Sequence, residues 1–212
     1  MADRRKPQRP QQDASRGRTP DATGAARVPV GRGVGRGGAP LARAPMNAPL
    51  VFQGWRIIVW PGFADRWAAL RGEVERLRTV DPTGYATKPA TKVFAAVRTL
   101  IRDEIPRDPG AARFRQGRTL GAGYARWRRA KFFERYRLFF RYDSTAKVIA
   151  YVWLNDERTL RARGARSDPY AVFGDMLRAG APPDDWDALV AACRGWTAED
   201  ARDPTSGAPP AA

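Results

Sequence analysis

The chain has 212 residues, enough for one domain with a substantial core, and carries 38 Lys+Arg against 22 Asp+Glu, a formal charge of +16. Such an excess selects a polyanionic partner, nucleic acid ahead of an acidic protein or an anionic membrane surface. Histidine is absent and Cys193 is the single cysteine, which excludes a Cys/His zinc site, an internal disulfide, and Ser-His-Asp or Cys-His catalysis.

Residues 1–49 are rich in Arg, Pro, Gly, Gln and Ala and lack aromatics. They are expected to form a disordered basic arm. The run Gly31-Arg32-Gly33-Val34-Gly35-Arg36-Gly37-Gly38 contains GxGxxG. No strand precedes it and no apolar helix follows, so a dinucleotide site is a weak reading beside a flexible arm. Met46 is an alternative start. Arg4-Arg5-Lys6 is not followed by the apolar stretch of a signal peptide, and no run approaches the roughly 20 apolar residues that span a bilayer. A cytoplasmic protein without membrane contact is expected.

Residues 50–197 are read as one folded domain. Trp55 to Trp60 is a short first strand closed by Pro61-Gly62. Phe63, Trp67, Leu70, Val74 and Leu77 recur at helical spacing, and Asp81-Pro82 with Gly84 ends that helix. A second helix carries Val93, Phe94, Val97, Leu100 and Ile101 and is expected to stop before Pro106 and Pro109. Both stripes are core packing. The period then shortens: Trp127 to Phe133, Tyr136 to Tyr142 and Lys147 to Leu154 are three strands of an antiparallel meander, with a turn at Asp143-Ser144-Thr145-Ala146. Asp168-Pro169 opens a helix with Tyr170, Phe173 and Leu177. Another short helix follows Pro182-Pro183-Asp184, and residues 198–212 form a flexible tail. This order predicts an α+β fold, an antiparallel sheet with helices packed on one face.

The basic excess is concentrated. Between Arg113 and Arg141 stand ten Lys+Arg, opposed only by Glu134 and interleaved with Phe114, Tyr124, Trp127, Phe132, Phe133, Tyr136 and Phe139. Guanidiniums clamp phosphates and aromatic faces stack unpaired bases, so the segment reads as a platform for single-stranded RNA. Most of the aromatics are more simply core. Arg113, Arg115, Arg118, Arg128, Arg135 and Arg141 are its RNA-binding candidates. Arg137 and Arg141 stand out, because Tyr136, Leu138, Phe140 and Tyr142 take the opposite, apolar face of their strand.

Several stretches in order carry a resemblance: Ala90-Thr91-Lys92, Phe114-Arg115-Gln116-Gly117, Arg135 through Tyr142, Lys147-Val148-Ile149, Trp153-Leu154-Asn155-Asp156-Glu157 with Thr159-Leu160-Arg161, Asp168 through Phe173, and Pro182 through Trp186. From Trp55 to about Trp186 the chain resembles YhaV-type toxins, a branch of the RelE-like superfamily of toxin–antitoxin ribonucleases. Arg163 stands where an aromatic is usual. The resemblance implies a RelE-like ribonuclease that cuts mRNA, in some relatives on the ribosome. It also implies neutralisation by a PrlF-like antitoxin with an AbrB-type domain, and operator DNA bound by the toxin–antitoxin complex. Carried over along the meander, the reacting groups fall on Arg129, Lys131 and Arg137, with Arg158 or Arg161 and Tyr170 completing the set.

The resemblance thus implies cleavage of RNA without metal or cofactor. The 2′-hydroxyl attacks the phosphate to leave a 2′,3′-cyclic phosphate, Lys131 accepting the proton and Arg129 and Arg137 holding the phosphorane. Arg158, Arg161 or Tyr170 would be the acid or substrate orienter. Two alternatives stay open: a ParE-like toxin that inhibits gyrase without cleaving, and a nucleic-acid-binding regulator.

Overall fold

The computed structural model describes residues 49–206. Residues 1–48, which hold nearly all of the expected arm with its GxGxxG run and Met46, and residues 207–212 lie outside the described residues.

Val51–Phe52 (β1) turns through Gln53 and Gly54, both at positive φ, into Trp55–Val59 (β2), the backbone twist that tight hairpins require. The helix α1 (Pro61–Val80) starts on Pro61, whose missing N–H costs nothing in the first turn, and buries Phe63, Trp67, Leu70 and Val74. α2 (Pro89–Thr99) buries Val93, Phe94 and Val97. It does not stop before Pro106. A π-helical turn, Leu100–Glu104, carries it into a last short turn, α3 (Ile105–Arg107). There Ile105 N–H reaches back to the Leu100 carbonyl, and the Ile101 carbonyl, which Pro106 has no N–H to reach, accepts from the Tyr151 hydroxyl at 2.9 Å.

The meander forms as the period predicts: β3 (Arg128–Phe132), β4 (Tyr136–Asp143) and β5 (Val148–Leu154) pair antiparallel. β2 joins the outer side of β5 in parallel, with Ile57 opposite Ile149. Arg194–Gly195 (β6) pairs with Ile58 and Val59 on the free edge of β2, beside β1. The sheet order is β1-β2-β5-β4-β3. The α+β class holds, with one parallel pairing in an otherwise antiparallel sheet.

Helices cover both faces, not one. α1 and α2 pack on Ile57, Val59, Leu138, Phe140, Ile149 and Tyr151. On the other face Ile58, Phe139, Val148, Ala150 and Val152 meet Tyr170, Phe173 and Leu177 of α4 (Pro169–Arg178) and Leu189 of α5 (Trp186–Ala192). The cause lies in β5, where Val148-Ile149-Ala150-Tyr151-Val152 is apolar at every position. Such a strand must be buried on both sides.

Residues 198–206, read from composition as the start of the tail, lie along α1. The Asp200 carbonyl accepts from Trp67 Nε1 at 2.7 Å, Asp203 pairs with Arg98 at 3.3 Å, and Pro204 is buried.

Candidate functional site

The β3–β4 hairpin turns at Phe133 and Glu134, both at positive φ. Arg129 faces Phe139 across the ladder and Lys131 faces Arg137. Cross-strand partners share a face, so Arg129, Lys131 and Arg137 stand on the side that α4 covers. Arg129 and Arg137 are 8% and 6% exposed, whereas Lys131 is open to solvent.

Tyr170 is the centre of this side. Its hydroxyl accepts from Arg129 Nε at 2.9 Å, and its ring lies 5.9 Å from Arg137 Cζ and 5.1 Å from Arg161 Cζ. The ring rests edge-on against Phe139, with centroids 5.6 Å apart. Three guanidiniums thus converge on one phenol. Arg129 donates a second bond to the Arg113 carbonyl at 2.6 Å, and Arg137 NH1 donates to the Glu134 and Tyr136 carbonyls, each at 2.7 Å. Neither has a carboxylate partner among the described residues. Burying an uncompensated cation costs several kcal/mol, and carbonyl dipoles offset that only in part. Arg137 Nε is buried without a partner among the described residues. The arrangement is therefore complementary to an anion that brings acceptor oxygens of its own.

Two residues that sequence reasoning did not assign to the site hold it in place. Asn155 is fully buried: its Oδ1 accepts from the Arg137 N–H at 2.5 Å, while Nδ2 donates to the carbonyls of Arg135 and Thr159. This amide ties β4 to the loop that carries Arg161, whose own N–H donates to the Arg135 carbonyl. Asp168 caps α4 by accepting from Tyr170 N–H at 3.0 Å, and its other oxygen accepts from the Ala162 N–H and pairs with Arg161 NH1. The Asp-Pro helix start was legible. That the cap also pairs with Arg161 was not, because the two meet only through the loop.

The remaining candidates separate. Arg158 is exposed in the turn after β5, its backbone N–H bonded to Asp156, while Arg161 reaches Tyr170. Arg113 is exposed, pairs with Glu104 at 3.5 Å and lies over Phe114, and Arg115, Arg118 and Arg135 are exposed as well. Arg128 points to the opposite face of the sheet, over Tyr142. Arg141 is not brought to the cluster. It is 5% exposed, lies 5.5 Å from the Trp127 ring and 5.3 Å from that of Trp186, and bonds the Asp184 carbonyl. Burial lowers its pKa, and the charge of Arg126 adds to this against the pull of Asp184 and Asp185. Burial pushes the Cys193 thiol up to about 12, which disfavours the thiolate a nucleophile requires.

A groove of about 430 Å³ opens against Tyr170 and Arg161, with Thr119, Arg163, Arg166 and Arg178 on its walls. Among the described residues no group of three or more His, Cys, Asp or Glu could hold a metal ion, and no helix is long and apolar enough to cross a membrane.

Comparison with known proteins identifies the family. Residues 57–194 match the YhaV toxin family, described as a toxin with endonuclease activity, of toxin-antitoxin system. Over 147 residues, 68% of this chain and 96% of each relative, the chain is 44% identical to the ribonuclease toxin YhaV of Escherichia coli strain K12 and to toxin YhaV of the O6:H1 strain CFT073. No solved structure matches the chain. The buried cationic cluster sits on the strands and helix that this match spans, and the chain belongs to the YhaV family of endonuclease toxins of toxin–antitoxin systems.

Proposed function

We propose that the chain cuts messenger RNA without a metal, by internal attack of the 2′-hydroxyl. The observation that carries this reading is the pair of buried arginines Arg129 and Arg137, without carboxylate partners among the described residues, converging on the Tyr170 phenol. The name of the K12 relative, a ribonuclease toxin, supports RNA as the substrate. Lys131, exposed beside Arg137, takes the 2′-proton. The oxygen so freed bonds to phosphorus while Arg137 and Arg129 hold the phosphorane oxygens. Tyr170 gives its hydroxyl proton to the departing 5′-oxygen, since its oxygen already accepts from Arg129. Arg161 orients the phosphate. The products are a 2′,3′-cyclic phosphate and a 5′-hydroxyl. Each proton transfer contributes about 10²–10⁴ in rate, and positioning supplies the rest, which is why a ribosome that orders the message would help.

A site built from one lysine and three arginines repels a divalent cation, in keeping with chemistry that needs none. The partners of this reading are mRNA, a PrlF-like antitoxin with an AbrB-type domain, and operator DNA bound by the complex, all in the cytoplasm. The family's endonuclease activity favours it over gyrase inhibition and over simple regulation.

Purified protein incubated with mRNA, with and without ribosomes, tests the reading. Arg137→Ala removes cleavage and growth inhibition while the protein stays folded and binds its antitoxin. Arg137→Lys rescues little, lacking the planar fork. Lys131→Ala slows cleavage about 100-fold or more. Cleavage persists in EDTA and leaves cyclic-phosphate ends. Full activity in both alanine variants, or loss of activity with chelator, would overturn the assignment.

A further inference from the structure

The groove beside Tyr170 is larger than the cleavage chemistry needs. At about 430 Å³ it falls within the range of roughly 300–1,000 Å³ typical of small-ligand sites. Four arginines line it, and two of them already pair with a carboxylate: Arg161 with Asp168 and Arg178 with Asp175. Arg163 and Arg166 are exposed and have no carboxylate partner among the described residues. Arg163 also adds its charge to that felt by Arg161. Among the described residues, the charges of Arg163 and Arg166 meet no carboxylate here.

The segment that bears them is ordered by its own backbone. Ala165 N–H bonds the Ala162 carbonyl and Asp168 N–H the Ala165 carbonyl, through Gly164 at φ +79. Asp168 pins the start of the segment through the Ala162 N–H at 3.0 Å. A pre-ordered loop spends less conformational entropy when it meets a ligand. The groove also opens directly on the Tyr170 ring, where the reading above places the scissile phosphate.

We propose that this groove is a subsite for the RNA backbone adjoining the scissile phosphate, with Arg163 and Arg166 as the ligands of the neighbouring phosphate. The inference rests on the RNA-cleaving reading and adds a requirement to it: the substrate must extend at least one phosphodiester beyond the bond that is cut. Arg163 and Arg166, without carboxylate partners among the described residues and in the same groove as the reacting phenol, suit the successive phosphates of a polyphosphate strand.

The test uses the full chain and a fluorescent mixed-sequence RNA dodecamer, fully 2′-O-methylated so that it cannot be cut, with anisotropy read across a salt series. R163A/R166A weakens binding about tenfold or more at 0.1 M salt. It also flattens the log–log salt slope by about 1.4, at roughly 0.7 for each lost single-strand phosphate contact. On cleavable RNA the loss falls on KM by a similar factor. R163K/R166K keeps most of the slope, since a lysine still releases counter-ions. Parental affinity and slope in the alanine variant overturn the proposal. So does a variant that binds RNA as before and loses its cognate antitoxin, which would give the groove to the protein partner. Arg137→Ala run alongside separates the readings: continued cleavage there sinks the catalytic assignment and leaves the groove result standing.

Discussion

The buried arginines of β4 show how one strand pattern serves two purposes. Arg137 and Arg141 share a face and are equally buried, yet Arg137 turns toward Tyr170 whereas Arg141 is enclosed by Trp127, Trp186 and the Asp184 carbonyl. Tyr170→Phe and Arg141→Ala are therefore expected to fail in opposite ways. The first keeps the ring against Phe139 and removes the hydroxyl, so cleavage falls about 100-fold while the melting temperature stays close to the parent's. The second leaves two indoles around a void and destabilises by about 2–4 kcal/mol, read as a lower denaturation midpoint with RNA affinity kept by the folded protein. Reversed outcomes would exchange the two roles. Alternation along β4 placed both arginines on the face that α4 covers, but no period distinguishes a guanidinium turned toward Tyr170 from one enclosed by a later loop. That depended on Asp184 and Trp186, more than forty residues on.

Within α4, a single carboxylate couples helix formation to the site. Asp168 satisfies the Tyr170 N–H, one of the donors that every helix N-terminus leaves open, and it also pairs with Arg161 and holds Ala162. Asp168→Ala should cost about 1–2 kcal/mol for the cap alone, with more from the stranded Arg161. Cleavage should drop alongside, because Arg161 and Tyr170 lose their common anchor. Asp168→Asn retains the cap acceptor and loses the ion pair. A thermal melt close to the parent's together with reduced cleavage in that variant would separate the two contributions, and parental cleavage in both variants would remove Asp168 from the positioning scheme. The helix start was legible because Asp followed by Pro is a local signal. The extension of α2 through Pro106 was not, because a π-helical turn writes no periodicity into eleven residues.

Across the whole molecule, the helices and the meander were legible, while the pairing of β2 with β5 and the cover on both faces were not. β1 and β6 have two residues each, too few for alternation to register, and parallel pairing is a property of where helices return the chain. These short edges bear on the arm. Leu50 N–H bonds the Trp196 carbonyl, Ile57 N–H bonds the Leu50 carbonyl, and Trp196 N–H bonds the Ile57 carbonyl. Pro49 lies against Gly195. The edge of the sheet is thus closed by residues from 49 onward, and 147 residues of this chain already account for 96% of the length of its relatives. Residues 1–45 add ten Lys+Arg against three Asp and no aromatic side chain. A chain beginning at Met46 should therefore melt at the temperature of the full chain, since described residues from Pro49 onward already close that edge. Its RNA affinity should be weaker at low salt and converge with the parent's as salt rises, since the arm's cations act only through counter-ion release. A drop of several degrees would mean instead that the arm packs on the domain, and an unchanged affinity at low salt would mean that its charges never meet the strand.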